Sequence, residues 1–512
     1  MKVRARVSLK TVSMTKQIYD LLIIGGGING AGIARDAAGR GLSVVLCEKN
    51  DLASGTSSKS SKLIHGGLRY LEYGEFRLVR EALKERETLM RIAPHLVSPL
   101  RIVLPHHKGL RPKWMLRLGL FLYDHIGGGR TLPGTKVANL QTGPEKNVLK
   151  SDFKTGFVFS DCRVDDARLV VANALGAQEN GAEILTRMKC TALTHKDGIW
   201  EATLSAHTEG KAGKTRKVKA RAIVNASGIR VDELVELALG EEHEDHLRLV
   251  KGSHIVTKRL YPSRHLYMFQ NPDGRIIFAI PYEQDYTLIG TTDAPYKISD
   301  GPIEISPEET DYLLGAASEY FSKPVTKDDI VWSYAGVRPL YDNKKQKASA
   351  VTRDYVFDLK DTDTPPILSI FGGKITTYRE LSEHALKKLR KHFPDLPRRW
   401  TGTKHLLGGD IGSISFDEFL TSLKTKYPWM DKPNLTRMAR AYGSKIVDVI
   451  GDANSQKDMS KAFGGGLTQR ETEYLIANEW AKSSEDILWR RTKCGLHMSK
   501  EERAAFEIWF NK

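Results

Sequence analysis

Residues 19–48, YDLLIIGGGINGAGIARDAAGRGLSVVLCE, contain the pattern that decides the fold. The continuous apolar run at 19–24 is typical of a strand that is buried on both faces. A G-x-G-x-x-G sequence follows at 25–30, and small residues then recur at helical spacing. A second apolar run at 43–47 ends at Glu48. This order predicts a strand, a glycine turn, a helix and a second strand, which together begin a parallel α/β sheet.

Each glycine of the turn has a physical role. Gly25 permits the tight turn, Gly27 lets the backbone approach a pyrophosphate, and Gly30 lets the helix pack closely on the strand. The helix N-terminus adds N–H groups and the positive end of the helix dipole, both of which favour phosphate. Glu48 can accept hydrogen bonds from ribose hydroxyls. The segment therefore predicts a bound dinucleotide, and a glycine-rich turn without a ligand is the alternative.

A polar run behind Glu48 bears on which dinucleotide is bound. Residues 56–62 read TSSKSSK, and LIHGGLRY follows at 63–70. Hydroxyls, backbone amides and a lysine so close behind the ribose-binding acid suit a long, extended cofactor, which helps to decide between FAD and NAD. A solvated serine-rich loop is the alternative interpretation.

The composition is that of a globular protein. The 512 residues are 40% hydrophobic and 27% charged, which excludes disordered, collagen-like and low-complexity classes. The length suggests roughly three domains, or two with insertions. No apolar run is long enough to span a bilayer, and the richest patch, LRLGLFLY at 116–123, is interrupted by Arg117. The net charge of +16 suits an anionic membrane, an acidic substrate or nucleic acid, and charge alone does not choose among them.

The cysteines and the N-terminus indicate the compartment. Cys47, Cys162, Cys190 and Cys494 form no C-x-x-C pair, so reduced thiols are expected and neither a disulfide framework nor a metal site is predicted. Residues 1–17 contain five Lys or Arg, no acid and no apolar core, which fits a basic arm better than a secretory signal. Translation from Met14 is the other interpretation.

The rest of the chain predicts a mixed α/β fold with three domains. A discontinuous FAD-binding, Rossmann-like domain is expected over residues 18–100, 150–250 and 335–400. Alternating β-segments from Lys251 onward indicate an antiparallel substrate-binding domain over 101–149 and 251–334, with a membrane-facing segment. Beyond Trp400 no strand pattern is evident, so residues 401–512 are predicted to form a helical domain.

Short sequences distributed from about residue 19 to residue 493 carry a resemblance to a known family. They are DLLIIGGGINGAGIARDAAGRGLSVVLCEK, TSSKSSKLIHGGLRYLEYGEFRLVREAL, DCRVDDARLV, KGSHIV, IGTTD, YAGVRPL, TRDY, FGGKITTYR and LWRRTK. Their combination resembles the flavin-dependent sn-glycerol-3-phosphate dehydrogenase family. Ser227-Gly228-Ile229-Arg230 departs from it, because relatives often have Thr-Gly-Pro-Trp there. The EF-hand extension of mitochondrial relatives is missing, since no such loop is present in the sequence. The chain also lacks the long insertion of the oxygen-using oxidases in this family, which favours a dehydrogenase.

The resemblance implies a reaction and a location. Noncovalent FAD would take a hydride at N5 from C2 of sn-glycerol 3-phosphate, and dihydroxyacetone phosphate would form. The electrons would pass to a membrane quinone, with the protein peripheral on the cytoplasmic face of the inner membrane. A homodimer is left open.

The resemblance also implies which residues form the site. Arg69, Tyr70 and Arg353 would bind the phosphate, since the planar guanidinium fork matches phosphate oxygens. Arg338 and Lys374 would contact the other substrate oxygens and act in catalysis. His254 is the predicted general base and His65 its competitor. The cofactor-binding set is Gly25, Gly27, Asn29, Gly30, Glu48, Thr56, Ser57, Ser61, Lys62, His65, Gly66, Ala226, Gly228, Gly336, Gly372, Gly373, Lys374, Ile375 and Thr376.

Residues 101–117, RIVLPHHKGLRPKWMLR, are the predicted membrane-facing segment. The segment contains no acid, and basic and apolar residues are mixed along it, which suits an interface with anionic lipid. These residues are Arg101, Lys108, Arg111, Lys113, Trp114, Met115, Leu116 and Arg117. A solvated loop beside a core helix is the alternative interpretation.

Two other functions remain to be compared with the first. An amino-acid or hydroxy-acid oxidase that uses oxygen could have the same fold, because a carboxylate could also use Arg69 and Arg353. A nucleic-acid-binding protein would account for the positive charge, but the basic residues are dispersed and no nucleic-acid motif accompanies them, so no nucleic-acid partner is expected.

Overall fold

A computed structural model describes residues 18–129, 131–207, 213–240, 246–342 and 354–512. The predicted basic arm at 1–17 and the predicted phosphate ligand Arg353 lie outside the described residues. Among those described, no helix is both long and apolar enough to cross a bilayer.

The described elements alternate between strands and helices up to Lys388 and are mainly helical after it. The strands are β1 Ile18–Ile24, β2 Val44–Glu48, β3 Leu63–Ile64, β4 Val97–His106, β5 Lys136–Asn139, β6 Thr155–Val164, β7 Glu183–Thr186, β8 Met188–Lys196, β9 Ile199–Ala206, β10 Thr215–Asn225, β11 Leu247–Lys258, β12 Leu266–Gln270, β13 Ile276–Tyr282, β14 Tyr286–Gly290, β15 Ala294–Pro295, β16 Ile330–Tyr341, β17 Val356–Lys360, β18 Ile367–Phe371, β19 Ala462–Gly464 and β20 Leu467–Thr468. The helices are α1 Ile28–Gly39, α2 Phe76–Ile92, α3 Lys113–Ile126, α4 Asp166–Glu179, α5 Val231–Leu239, α6 Pro307–Tyr320, α7 Tyr378–Lys388, α8 Phe416–Lys426, α9 Lys432–Tyr442, α10 Ile446–Ile450, α11 Gln469–Asn478 and α12 Lys500–Phe510.

The first sheet has the strand order β17-β18-β10-β1-β2-β7, and the β8–β9 hairpin extends it beside β10. Strands β18, β10, β1, β2 and β7 are parallel. Leu21 and Ile23 pack on one face, in the same apolar core as residues of α1, α4 and α7. Leu22 and Ile24 pack on the other face, in a core shared with the β8–β9 hairpin. Burial on both faces explains the continuous apolar run, and the predicted strand–turn–helix–strand unit is confirmed.

The second sheet has the order β15-β11-β14-β13-β12-β4-β6-β3, with β16 on β11 and β5 on β6. Its pairs are antiparallel except β4 with β12, which run parallel. These two strands come from separate parts of the chain, so no hairpin fixes their relative direction. The sheet includes β6 and the whole of β16, although the sequence assigns residues 150–250 and 335–400 to the first domain. The domain boundaries themselves stay a prediction.

The C-terminal region has a core of its own, formed mainly by the helices α8 to α12. It also contains the hairpin β19–β20, which the sequence analysis did not predict. These strands have three and two residues, too few to show an alternating pattern, and glycines at 464–466 form the turn between them.

His95 ties the C-terminal region to the first domain and gives a stability prediction. The ring is buried against the backbones of Gly408 and Gly443. Burial, followed by the charges of Arg168 and Arg440, lowers the pKa of His95 from 6.5 to about 3. The unfolded chain therefore binds a proton near pH 6.5 and the folded chain does not, so stability is lost as the pH falls below that value.

We expect His95 to reduce the free energy of unfolding by about 2 kcal/mol between pH 7 and about pH 5. Urea unfolding at several pH values measures this. The variant His95→Gln should lose less stability over the same interval, although His65 and His254 act in the same direction and will leave a residual dependence. Equal pH dependence in the variant and the parent protein would contradict the assignment.

Candidate active site

A cavity of about 1660 Å³ is lined by residues from both large sheets. The lining includes the carboxyl end of β1, the glycine turn and the helix α3. Among the described residues, nine Lys or Arg and six Asp or Glu line it. The walls therefore favour an anionic ligand.

The glycine turn is shaped by backbone contacts that leave no room for side chains. Gly25 has a φ of +117°, and a Cβ there would overlap the carbonyl oxygen of Ala226. A Cβ on Gly30 would overlap the carbonyl oxygen of Gly25. Helix α1 consequently begins directly against the end of β1, with its N-terminus at the cavity.

Asn29 belongs to the first turn of α1, and Ser57 contacts that turn from a separate loop. The Asn29 Nδ2 donates to the carbonyl of Gly372 at 3.2 Å, whereas its Oδ1 is buried and has no partner in the described part of the chain. The Ile28 N–H donates to Ser57 Oγ at 3.0 Å, and Thr56 Oγ1 donates to Val337 O at 2.7 Å. Residues 56–57 thus connect the helix start to β16 across the cavity wall.

Glu48 closes the turn from the other side. Its carboxylate accepts hydrogen bonds from the N–H groups of Gly26 at 2.7 Å and Asn50 at 2.8 Å. Burial raises the pKa of Glu48, and the two backbone hydrogen bonds partly oppose this effect. The remaining lone pairs of the carboxylate can accept hydrogen bonds from a ribose.

Arg69 and Lys374 are cations of the cavity wall that have no carboxylate partner among the residues described. Arg69 donates to Tyr73 Oη at 3.3 Å. The Lys374 Nζ lies 4.1 Å from the centroid of the Tyr70 ring, which brings two predicted substrate residues together, and Tyr70 follows Arg69 in the chain. Two unneutralised cations beside an aromatic hydroxyl suit a phosphate or carboxylate.

Arg338 lies on another part of the wall and is already engaged. It donates to Asp293 Oδ1 at 2.5 Å and to Thr292 O at 2.9 Å. Asp293 also lines the cavity and was not predicted as a site residue. Its signal in the sequence was the IGTTD motif, which the resemblance included without giving the acid a role.

Both candidate histidines line the cavity. His254 is 2% exposed, its Nε2 lies 2.9 Å from Ser61 Oγ, and its ring stacks on Tyr334 at 4.8 Å. Burial lowers the pKa of His254 well below 6.5, and the charges of Lys62 and Arg338 add to the effect. Burial also lowers the pKa of His65, where Asp161 acts against the shift and Lys374 with it. Both imidazoles are therefore neutral at neutral pH.

The structure brings most predicted site residues to this cavity. Those that line it are Gly25, Gly27, Asn29, Glu48, Thr56, Ser57, Ser61, His65, Arg69, Tyr70, Ala226, Gly228, His254, Gly336, Arg338, Gly372, Gly373, Lys374, Ile375 and Thr376. Residues 188–191, at the start of β8, also line it and were not predicted, since a hairpin strand distant in sequence carries no local signal of a ligand.

Three predicted cofactor residues lie behind the wall. Gly30 serves the packing of α1 on β1. Lys62 is buried and its Nζ donates to Asp166 at 2.7 Å, so its charge is neutralised inside the protein. The Gly66 N–H donates to Tyr123 Oη at 2.8 Å and is not available to a ligand. The structure thus gives these three residues supporting contacts, which a turn motif does not distinguish from contacts to a ligand, and their contact with the cofactor stays a prediction.

Two family descriptions match the chain. Residues 20–379 match the FAD dependent oxidoreductase family, and residues 400–508 match the C-terminal domain of alpha-glycerophosphate oxidase. The boundary between the two matches falls close to the predicted start of the helical domain.

Curated relatives are similar over nearly the whole chain. D-erythritol 1-phosphate dehydrogenase of Brucella abortus is 48% identical over 96% of this chain and 97% of its own. Glycerol-3-phosphate dehydrogenase of Pseudomonas aeruginosa is 48% identical over 95% of this chain and 94% of its own. A solved glycerol-3-phosphate dehydrogenase of Bacillus halodurans, complexed with FAD, superposes with a TM-score of 0.74 at 29% identity, over 97% of this chain and 95% of that one.

The cavity fits the cofactor that the family uses. The side-chain-free cradle of the glycine turn admits a pyrophosphate, the Glu48 carboxylate lies where a ribose would follow, and the unpartnered Oδ1 of Asn29 marks a polar group without a protein partner. With the family matched over residues 20–379 and relatives at 48% identity, this chain belongs to the FAD-dependent oxidoreductases.

Proposed function

We propose that this protein oxidises the C2 hydroxyl of sn-glycerol 3-phosphate to the ketone of dihydroxyacetone phosphate and passes the electrons to a membrane quinone. The observation that carries the proposal is the pair Arg69 and Lys374, two cations without a carboxylate partner in the described residues, in the wall of the cavity that fits FAD. A phosphate monoester would supply the negative charge that neutralises these two cations.

Substrate binding is assigned to the chain's own cations. Arg69, with Tyr70 beside it and Arg353 as a further proposed ligand, would hold the phosphate. Each charge-assisted hydrogen bond of this kind contributes about 1.5–3 kcal/mol. Lys374 and Arg338 would contact the remaining oxygens, and their charge would stabilise negative charge that develops on O2 during oxidation. Asp293 would orient Arg338, since it already accepts a hydrogen bond from that guanidinium.

Oxidation of the alcohol requires that C2 lose a hydride and that the hydroxyl lose a proton. Noncovalently bound FAD supplies the hydride acceptor at N5. His254 is the proposed base, because its lowered pKa keeps the imidazole neutral and able to take the proton at neutral pH. Its hydrogen bond with Ser61 would fix the ring, and Gly290 leaves room for it, since a Cβ there would overlap the imidazole.

A longer polyol phosphate is a second candidate substrate. The Brucella abortus relative, named D-erythritol 1-phosphate dehydrogenase, is as similar as the glycerol-3-phosphate dehydrogenase of Pseudomonas aeruginosa. Both compounds contain a phosphate monoester and a secondary hydroxyl, so the same cations would serve both. The amino-acid or hydroxy-acid oxidase remains the alternative enzyme class, with oxygen as acceptor.

Anaerobic mixing of the holoprotein with sn-glycerol 3-phosphate tests the function directly. We expect the flavin absorption band to bleach and to return when a quinone analogue is added. D-erythritol 1-phosphate and a panel of amino and hydroxy acids serve as comparisons. Bleaching by D-erythritol 1-phosphate alone would select the second substrate, whereas bleaching only by carboxylates, with hydrogen peroxide formed in air, would select the oxidase.

The role of His254 gives a kinetic prediction. The variant His254→Asn should lower kcat about a hundredfold or more while its FAD content and KM stay close to those of the parent protein. In the parent protein kcat should stay level through neutral pH and fall only well below pH 6.5, because the base is protonated only in acid. His65→Asn is the matched comparison. A large loss of kcat in His65→Asn with none in His254→Asn would transfer the role to His65.

Helix α3 supports peripheral binding to a membrane. Trp114, Leu118, Phe121 and Leu122 follow one another at helical spacing and are all exposed, with Trp114 at 65% and Phe121 at 57%. Arg101, part of the segment proposed from sequence, does not join this face, since its guanidinium donates to the backbone carbonyls of Pro133 and Val158. The apolar face of α3, with Arg111, Lys113 and Arg117 near its start, is the proposed contact with anionic lipid on the cytoplasmic face of the inner membrane.

The position of α3 also favours a quinone as the electron acceptor. Met115, Leu116 and Gly119 of α3 line the cavity, while Trp114 and Phe121 of the same helix are exposed. Ile102 and Met268 of the second sheet also line the cavity and belong to the apolar core against which Leu116 packs. An apolar wall that continues from the membrane-facing helix toward the flavin site suits a lipid-soluble acceptor.

Vesicle co-sedimentation tests the membrane contact. The double variant Trp114→Ser, Phe121→Ser should bind anionic vesicles several-fold more weakly than the parent protein, because it loses the most exposed apolar side chains of the face. Anaerobic flavin bleaching should be unchanged, since neither residue lines the cavity. Ile508→Ser removes a side chain of similar exposure, 62%, from α12 and is the control. Equal vesicle binding by all three proteins would exclude α3 as the contact.

A further inference from the structure

Asp51 is a buried carboxylate held by two arginines of the C-terminal region. It is 1% exposed and follows Glu48 by a short loop. Arg490 donates to it through Nε at 2.7 Å, and Arg491 donates through both terminal nitrogens at 2.7 and 2.8 Å. The arginines belong to the LWRRTK motif, to which the proposed reaction assigns no role.

The loop that contains Asp51 is also bound to the glycine turn. The Ala53 N–H donates to Gly26 O at 3.0 Å, and the Gly26 N–H donates to Glu48 at 2.7 Å. Leu52 packs so closely on Gly26 that a Cβ there would lie 3.0 Å from its methyl group. A shift of Asp51 would consequently move both Glu48 and the glycine turn.

Arg490 and Arg491 also bind groups other than Asp51. Arg491 donates to the carbonyl of Glu479 at 2.7 Å, and the Glu479 side chain pairs with Arg168 of α4. Asp486 pairs with Arg490 and accepts a hydrogen bond from Arg187 at 2.8 Å. The π-helical segment Asp486–Arg491 is therefore held by charged partners on both the Asp51 loop and the rest of the protein.

A buried ion pair adds little net stability compared with apolar packing of the same volume, because both charges must be desolvated. What such a pair does supply is a defined position for the groups that it joins. Here one partner is the loop next to the ribose-binding acid, and the other partner is a separate region with its own core.

We propose that Arg490 and Arg491 are positioning residues for FAD: through Asp51 they hold the loop at 48–53 in the geometry that binds the cofactor. Folding of the C-terminal region is thereby coupled to retention of FAD. The inference rests on FAD as the cofactor and is independent of the proposed substrate and electron acceptor.

FAD affinity of the full-length protein, measured after removal of the cofactor by flavin fluorescence titration, tests the proposal. Arg491→Met should raise the Kd for FAD at least about tenfold, and Arg491→Lys should recover part of the loss. Arg437→Met is the control, because Arg437 pairs with Glu471 inside the C-terminal region and does not contact Asp51. The melting temperature of the cofactor-free protein is recorded for each variant.

A selective loss of FAD affinity in Arg491→Met, at a melting temperature like that of Arg437→Met, supports the positioning role. An unchanged Kd in Arg491→Met, or an equal loss in both variants, overturns it. If Arg491→Met does not fold, Asp51→Asn decides, since it keeps the size of the side chain and removes the charge. A normal Kd in a folded Asp51→Asn protein would likewise overturn the proposal.

Discussion

The contact between helix α1 and strand β1 is the constraint on which the rest of the structure depends. Gly30 faces the carbonyl oxygen of Gly25, and Gly25 faces that of Ala226, at separations that exclude any side chain. This contact places the start of α1 at the carboxyl ends of β1 and β10. The N-terminus of α1, the Glu48 carboxylate and the end of β10 then surround one end of the cavity, so the cofactor-binding geometry follows from backbone packing.

The second sheet adds polar side chains to the cavity wall beside the glycine turn of the first. β16 contributes Arg338 and β11 contributes His254, whereas Lys374 comes from the loop between β18 of the first sheet and α7, so one cavity combines the glycine turn with an excess of cations. Burial has opposite consequences for its ionisable groups. Burial lowers the pKa of His254, and the imidazole is therefore neutral and able to accept a proton. Burial raises the pKa of Glu48, and two backbone hydrogen bonds to the carboxylate oppose this increase.

The sequence predicted those features that are local in the chain. The glycine turn, the two buried strands beside it and the helix between them could be predicted, because short-range periodicity specifies them. Two other features could not be predicted, because each joins segments that are distant in sequence. These are the parallel pairing of β4 with β12 and the ion pair of Arg338 with Asp293. Lys62 is an example of a contact that the sequence does not show. Its position in a polar run suggested contact with a ligand, whereas in the folded protein its ammonium group pairs with the buried Asp166.

We propose that the cations Arg69 and Lys374, which have no carboxylate partner among the described residues, hold the phosphate and the other oxygens of the substrate in the cavity that fits FAD. The decisive experiment is a crystal structure of the protein with FAD and sn-glycerol 3-phosphate, obtained without oxygen. We expect phosphate oxygens within about 3.2 Å of the Arg69 guanidinium, with C2 facing the flavin and Lys374 on a neighbouring substrate oxygen. A phosphate bound instead beside Lys189 or Arg230, which also line the cavity, would exclude this binding mode.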